Sequence, residues 1–284
     1  MPGAMPSGVF LGLGAAFAWG TGDFLGGWNA RRLPATTVAF WAQTSSLAIL
    51  LAVVLVARPG WDSTAFGWGL AAGIFTGFGG AMLYRGLATG NAAVVAPLSG
   101  LGAVVPVVAS VARGESPGAI AWPGIVFALL GVVVVSFPGE GASFRGNHHL
   151  GPVLMGLSAA LGFGFFFVLV NEGTGEGRPE LIVLLGARLG AAMLIGSTAV
   201  AGGIRRPGRL LPNLVALGVI ELSANGAFAL ASTRGNLAAM SVLASLYPVV
   251  TVVLARLFTN ERLTVTRVAG AALALGGAAL VSAS

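Results

Sequence analysis

The sequence predicts an all-α integral membrane protein in which ten transmembrane helices form two inverted five-helix repeats. Three observations lead to this fold class: an extreme apolar composition, apolar runs of membrane-spanning length, and a match between the two halves of the chain. Of the 284 residues, 56% are hydrophobic and 8% are charged, with a mean hydropathy of +0.91. Because soluble domains carry about 25% charged residues, a water-soluble fold cannot cover this much apolar surface.

Apolar runs of about 20 residues recur along the chain, and each can cross a hydrocarbon core about 30 Å thick. Helices are expected, because an open sheet would leave backbone N–H and C=O groups unpaired in lipid. The predicted spans of the first half are 7–28, 35–57, 66–88, 92–113 and 119–137. Those of the second half are 151–171, 181–202, 210–232, 237–258 and 265–283.

The chain divides near its middle, at the polar connection 138–150. We expect residues 1–137 to form the first five-helix repeat and residues 151–284 the second. At a shift of 144 to 146 residues, matches recur in the same order along both halves, which indicates an internal duplication. The matching pairs include Gly20 and Gly164, Pro34 and Pro179, and Gly131 and Gly277.

Each predicted repeat holds an odd number of spans, so the second repeat must enter the membrane with the opposite orientation. Inverted repeats of this kind are typical of alternating-access carriers, in which the substrate site lies between the halves near the bilayer midplane.

The composition excludes several functional classes. The chain has no cysteine, and all 15 of its Lys and Arg residues are arginine. Disulfides, thiolate metal sites, a Walker lysine and a Schiff-base lysine are therefore excluded within it, and no cofactor is expected. The net charge of +6 does not indicate nucleic acid as a partner, because the arginines lie in short connections between spans rather than in one stripe.

The distribution of arginine bears on orientation in the membrane. Alternate connections hold ten arginines on one face and four on the other, which favours both termini outside the cytoplasm. The ten are Arg31, Arg32, Arg85, Arg145, Arg205, Arg206, Arg209, Arg256, Arg262 and Arg267, and the four are Arg58, Arg113, Arg178 and Arg234.

Three charged residues lie inside predicted spans: Asp23, Arg188 and Glu221. A charged side chain there costs about 2.5–3.5 kcal/mol on insertion scales, so each needs a reason. One interpretation is that Glu221 or Asp23 loads a proton or a substrate amine while Arg188 binds a carboxylate. The other is that Arg188 neutralises one carboxylate and holds helices together, while Asp23, near a span end, reaches interfacial water.

Other polar and aromatic residues are further candidates for the site. Trp19 and its repeat mate Phe163 predict either an aromatic wall for a substrate or helix packing. Tyr247 and Pro248 lie mid-span and predict a kink that frees a backbone carbonyl for the substrate. Candidate hydrogen-bonding residues for the substrate are Asn225, Ser241 and Ser245.

Glycine spacing in the third and seventh spans predicts close helix contacts. Gly69, Gly73 and Gly77 form a double GxxxG pattern, and Gly186 and Gly190 repeat the spacing. These glycines could pack helices within one chain or form a dimer seam, so a monomer and a homodimer both stay open.

Several short motifs together resemble the EamA family of the drug/metabolite transporter superfamily, whose members are ten-span carriers built from two EamA repeats. The motifs are Trp19-Gly20, Arg31-Arg32-Leu33-Pro34, Gly90-Asn91, and Gly114-Glu115 with its counterpart Asn260-Glu261-Arg262-Leu263. The resemblance implies both termini in the cytoplasm, against the arginine count. One departure is that an arginine common in the second span of each repeat occurs here only as Arg188, with Gln43 at the matching place.

The expected function is that of a secondary-active transporter in the cell membrane, exporting an amino-acid or drug-like metabolite with proton coupling. Its expected partners are a small solute and membrane lipid, and it is not expected to be an enzyme. The alternatives are a membrane-embedded enzyme acting on lipids, for which the only histidines, His148 and His149, share one loop, and a scaffold without transport.

Overall fold

The computed structural model describes residues 4–88, 95, 98–136, 150–259 and 264–283. Throughout these ranges the chain is helical with short connections, and no strand occurs within them. The predicted connection before residue 150, the Gly90-Asn91 pair and residues 260–263 lie outside the described residues.

The helices follow the predicted spans closely, which confirms the all-α membrane fold. In the first half they are α1 (Ala4–Ala30), α2 (Ala35–Ala57), α3 (Ser63–Ala88), α4 (Val104–Ala112, preceded by the 3₁₀ turn Gly100–Ala103) and α5 (Ala121–Ser136). In the second half they are α6 (Leu150–Thr174), α7 (Glu180–Gly202), α8 (Leu211–Ser232), α9 (Leu237–Ala244), α10 (Tyr247–Thr259) and α11 (Val265–Ser282). Within the described ranges, eight helical segments are long and apolar enough to cross a membrane, and residues 100–112 and 121–135 form two shorter apolar helices.

The two halves are inverted, as the odd number of spans predicts. Helices α5 and α11 are repeat mates and run in opposite directions: Gly131 meets Ala274, whereas Val135, further along α5, meets the earlier Gly270. The repeat mates α2 and α7 are also antiparallel. Gln43 of α2 contacts Arg188 of α7, while the later part of α2 packs near the start of α7. The repeats therefore lie antiparallel in one molecule.

The halves pack into each other rather than side by side. Helix α3 lies against α6 and α7, and its mate α8 lies correspondingly against α1 and α2. A core cluster draws its buried residues from both repeats, among them Ala16, Ile125, Val132, Leu243 and Val281. The two repeats thus share their core.

The glycines of the double GxxxG pattern lie in a contact within the chain. A Cβ built on Gly73 would overlap the carbonyl of Ala187, and one on Gly186 would overlap the carbonyl of Phe66. The absence of side chains lets the α3 and α7 backbones approach closely, as in small-residue helix contacts generally.

The ninth predicted span is broken where Tyr247 and Pro248 predict a kink. Helix α9 ends at Ala244 and α10 begins at Tyr247. The backbone closes the gap with short-range bonds from Leu246 N to Leu243 O (3.3 Å) and from Val249 N to Leu246 O (3.0 Å). Pro248 has no N–H to continue the helical ladder, which explains the break.

Four connections lie on one side of the bundle and define what we call the terminal face: 58–62, 113–120, 175–179 and 233–236. Contacts that join them include Arg113 with Glu172 and Asn236 with Glu115. The start of α1 lies on the same face, since a Cβ on Gly8 would be 3.1 Å from the Arg234 carbonyl. The connections 31–34 and 203–210 lie at the opposite end, which we call the arginine-rich face.

Candidate functional site

A buried arginine stands where α2, α7 and α8 meet. Arg188 on α7 is 4% exposed. Its Nη1 donates to Gln43 Oε1 on α2 (2.5 Å) and lies 3.5 Å from Glu221 Oε2 on α8. Because Gln43 is the repeat mate of Arg188, this contact joins equivalent positions of the two inverted halves.

The rest of the Arg188 guanidinium is not used by the described part of the chain. Its Nε and Nη2 atoms are buried and have no hydrogen-bond partner there. Leaving a buried donor unpaired costs about 1–3 kcal/mol, more for a charged group. The Nε and Nη2 atoms form one edge of the planar guanidinium, with the fork geometry that matches both oxygens of a carboxylate. These two donors suit an anionic group with paired oxygens.

Glu221 of α8 lies beside this arginine, and the facing helix α1 carries a second carboxylate, Asp23. A Cβ built on Gly22 of α1 would be 3.5 Å from Glu221 Cγ, so α1 and α8 are in close contact there. Asp23 follows Gly22 and is exposed. The Glu221 side chain keeps 37% of its surface accessible. The Glu221 carboxylate can thus be reached by a proton or a cationic group.

An aromatic cluster lies further along α8, toward the terminal face. The Trp19 ring lies 6.2, 5.8 and 6.0 Å, centroid to centroid, from Phe166, Phe167 and Phe228. Trp19 Nε1 donates to Asn225 Oδ1 at 2.9 Å. Helices of both repeats therefore surround Trp19, whose indole N–H also binds the buried side-chain amide of Asn225.

Phe163 lies apart from these rings. A Cβ on Gly79 would be 3.0 Å from its ring, and one on Gly102 would be 3.2 Å from its Cβ. Phe163 thus packs between α3 and the start of the fourth span.

Replacing Trp19 by phenylalanine is expected to lower the free energy of unfolding by about 1–3 kcal/mol. Phenylalanine keeps most of the ring contacts but leaves Asn225 Oδ1, in a side chain that is 8% exposed, without its donor. Thermal or denaturant unfolding in detergent measures the change. The matched control is Trp61→Phe, because Trp61 is 66% exposed and should change stability by less than about 0.5 kcal/mol. Equal losses in both variants would contradict the assignment.

The remaining predicted residues lie around the break in the ninth span. Ser241 is fully buried, and its Oγ has no hydrogen-bond partner within the described residues. Ser245 Oγ donates to the Val242 carbonyl at 2.8 Å. The Tyr247 carbonyl accepts from Thr251 Oγ1 at 3.1 Å, and this hydroxyl also lies 3.1 Å from the Gly20 carbonyl. The described contacts link Tyr247 to α1 but bring neither serine to Arg188.

Polar contacts join helices across the terminal face, and the sequence did not indicate them. Arg113 Nη2 pairs with Glu172 Oε1 at 2.5 Å. Glu115 Oε2 accepts from Ser110 Oγ and Asn236 Nδ2, both at 2.9 Å. A buried contact between the hydroxyls of Thr174 and Ser232 (3.3 Å) ties α6 to α8. These contacts hold the ends of the fourth, sixth, eighth and ninth spans together.

Inverted repeats that enclose a charged centre define a multi-spanning membrane protein of the carrier type. The model of the EamA-like transporter family matches residues 6–137 and 150–283, so the chain belongs to that family and is a membrane transporter of the drug/metabolite superfamily. The resemblance drawn from the sequence motifs is thereby confirmed.

Two further comparisons bear on the fold and on relatives. No curated protein matches the chain. A solved structure, described as "Crystal structure of protein", is similar with a TM-score of 0.79 and 18% sequence identity, covering 97% of this chain and 96% of that one. At this identity the similarity supports the fold and carries no information on the substrate.

Proposed function

We propose that the chain is a secondary-active carrier in the cell membrane that exports a small carboxylate-bearing solute, such as an amino acid or a drug-like metabolite, with proton coupling. One observation carries the substrate class: the vacant Nε and Nη2 edge of Arg188, buried beside Glu221. A solute carboxylate would supply the acceptors that this edge lacks. The planar fork favours a carboxylate over a single-point acceptor.

Glu221 is suited to respond to that binding. Its carboxylate lies 3.5 Å from Arg188 Nη1, longer than an ordinary charge-assisted hydrogen bond of about 2.7–2.9 Å. A solute carboxylate on the Nε and Nη2 edge would place a second negative charge near Glu221 and repel it from Nη1 of the same guanidinium. A displaced Glu221 would then take up a proton or pair with a solute amine, with Asp23 as the second acid on the facing helix. Ionisable side chains inside spans commonly serve as such proton relays.

Contacts between spans on the terminal face close that end of the bundle, which supports an alternating-access cycle. The contacts of Arg113 with Glu172 and of Thr174 with Ser232 tie spans together on the terminal face. A carrier with inverted repeats exchanges the closed and open ends by rocking one bundle against the other around a fixed site. The same contacts would have to separate once in each cycle.

The variant Glu221→Gln tests proton coupling. It keeps the size and hydrogen bonding of the side chain but removes the titratable group, so we expect accumulation driven by a pH gradient to fall to background. Exchange of labelled solute without a gradient should fall less than about tenfold, because Arg188 is retained. The assay uses proteoliposomes with radiolabelled amino acids as probes and a pH-sensitive dye inside.

The matched control is Glu180→Gln, which removes a carboxylate from the first turn of α7 on the terminal face. It should transport like the unchanged protein. Gradient-driven accumulation by Glu221→Gln at the unchanged rate would remove Glu221 from the coupling mechanism.

A further inference from the structure

The connection between α7 and α8 is fixed to the start of α2 through its backbone. Arg205 N donates to Thr37 Oγ1 at 3.3 Å, and Trp41 Nε1 donates to the Arg205 carbonyl at 3.1 Å. Both bonds use main-chain atoms of Arg205, so its guanidinium is not engaged by them, and the side chain is exposed. The segment 203–210 is thus held over α2 while its side chains extend outward.

Three helices converge beneath this segment. An apolar cluster joins the ends of α1, α2 and α8 and comprises Leu25, Leu33, Val38, Trp41, Ala42, Leu214 and Leu217. The connection 31–34 leads directly into α2, and the 3₁₀ turn Gly208–Leu210 leads directly into α8. The two connections therefore lie side by side at the end of one helix trio.

Among the residues that the structure describes, this place carries concentrated positive charge without acidic residues. The exposed arginines are Arg31, Arg32, Arg205, Arg206 and Arg209. No Asp or Glu occurs in residues 24–61 or 181–220, so the nearest acids along these helices are Asp23 and Glu221, which lie deeper in their spans. The terminal face differs, because its four connecting arginines stand among Asp62, Glu115, Glu172, Glu176 and Glu180. Two of those arginines, Arg113 and Arg178, form ion pairs there.

Two tryptophans near the cluster indicate the depth of the lipid headgroups. The Arg31 guanidinium carbon lies 5.5 Å from the centroid of the Trp28 ring. Trp41 stands at the start of α2 with its ring against Phe40. Tryptophan is enriched at the membrane–water interface, where its indole N–H meets polar groups.

We propose that this arginine cluster binds the phosphate headgroup of an anionic phospholipid, which bridges the connections 31–34 and 203–210. Guanidinium groups bind phosphate oxygens through paired hydrogen bonds, and basic pockets between transmembrane helices bind anionic headgroups. The acyl chains of such a lipid would follow the apolar outer surface of the helices. The bound lipid clamps the ends of α1, α2 and α8, the last of which carries Glu221.

The test measures lipid binding without transport, so it stands apart from the proposed function. The full chain in zwitterionic detergent is titrated with phosphatidylglycerol or phosphatidylcholine, and both bound lipid, by native mass spectrometry, and thermal unfolding are followed. We expect phosphatidylglycerol to bind and to raise the unfolding midpoint, with phosphatidylcholine at least fivefold weaker. The double variant Arg205→Gln/Arg206→Gln should lose most of this preference.

The matched control is Arg58→Gln/Arg234→Gln, which removes the same charge from the terminal face and should keep the preference. The unfolding midpoint of each variant without added lipid shows whether it has folded. Equal loss in both double variants, no preference in the unchanged protein, or equal stabilisation by soluble glycerol phosphate would each overturn the proposal.

Discussion

The variant Arg188→Ala is expected to reduce solute transport to the level of empty liposomes and to lower the free energy of unfolding by about 1–3 kcal/mol. The partly accessible Glu221 carboxylate would lose its positive partner. Gln43 Oε1 would lose its donor at the same time. Transport fails for a separate reason, because the vacant Nε and Nη2 edge is the proposed carboxylate site.

The double variant Arg188→Ala/Glu221→Gln separates the two roles of Arg188. In the double variant residue 221 is uncharged, so no unpaired carboxylate destabilises the fold. We therefore expect at least half of the stability lost in Arg188→Ala to return. Exchange of labelled solute without a gradient, which Glu221→Gln alone should retain, is expected to stay at background because the fork is still absent. If the double variant regains transport together with stability, Arg188 only holds helices together and the proposed substrate site is wrong.

The variant Gly73→Ala is expected to lower the free energy of unfolding by about 1–3 kcal/mol, the usual cost of overpacking a close contact. The added methyl group would meet the Ala187 carbonyl and the Ala191 N–H, which are backbone atoms and cannot rotate away. Helices α3 and α7 would have to separate along their length. Denaturant unfolding in detergent measures the loss, and gel filtration shows whether the sample stays monodisperse.

Gly67 provides a matched control on the same helix. It is exposed, and a Cβ built there has no heavy atom within 4 Å. Gly67→Ala should be neutral or slightly stabilising, because alanine favours the helix over glycine by about 1 kcal/mol. Should Gly73→Ala prove as stable as Gly67→Ala, the close α3–α7 contact would not exist.

The fold could be predicted from the sequence because lipid leaves so few options. Backbone groups must pair within each span, so apolar runs long enough to cross the membrane predict helices. The odd number of spans in each repeat then fixes the inversion that α5 and α11 display. The break at Tyr247 and Pro248 follows from a local rule, since proline has no N–H to donate.

The charged centre could be predicted only in part. Asp23, Arg188 and Glu221 were recognisable because a charge inside a span is costly. The hydrogen bond from Arg188 to Gln43 was not predicted. A polar residue at the position that matches Arg188 in the first repeat could have indicated it. Phe166, Phe167 and Phe228 gave no signal, because aromatic residues in an apolar span are equally suited to packing.

By itself, the sequence determined the membrane fold, the inverted halves and the three intramembrane charges, since each follows from the cost of placing a polar group in hydrocarbon. Only the tertiary structure decided which partners those charges have, which edge of Arg188 has no partner among the described residues and which arginines gather around the start of α2. The reason is geometric. Contacts between helices that are distant in the chain depend on how each helix is rotated and placed, and no local pattern of residues specifies that.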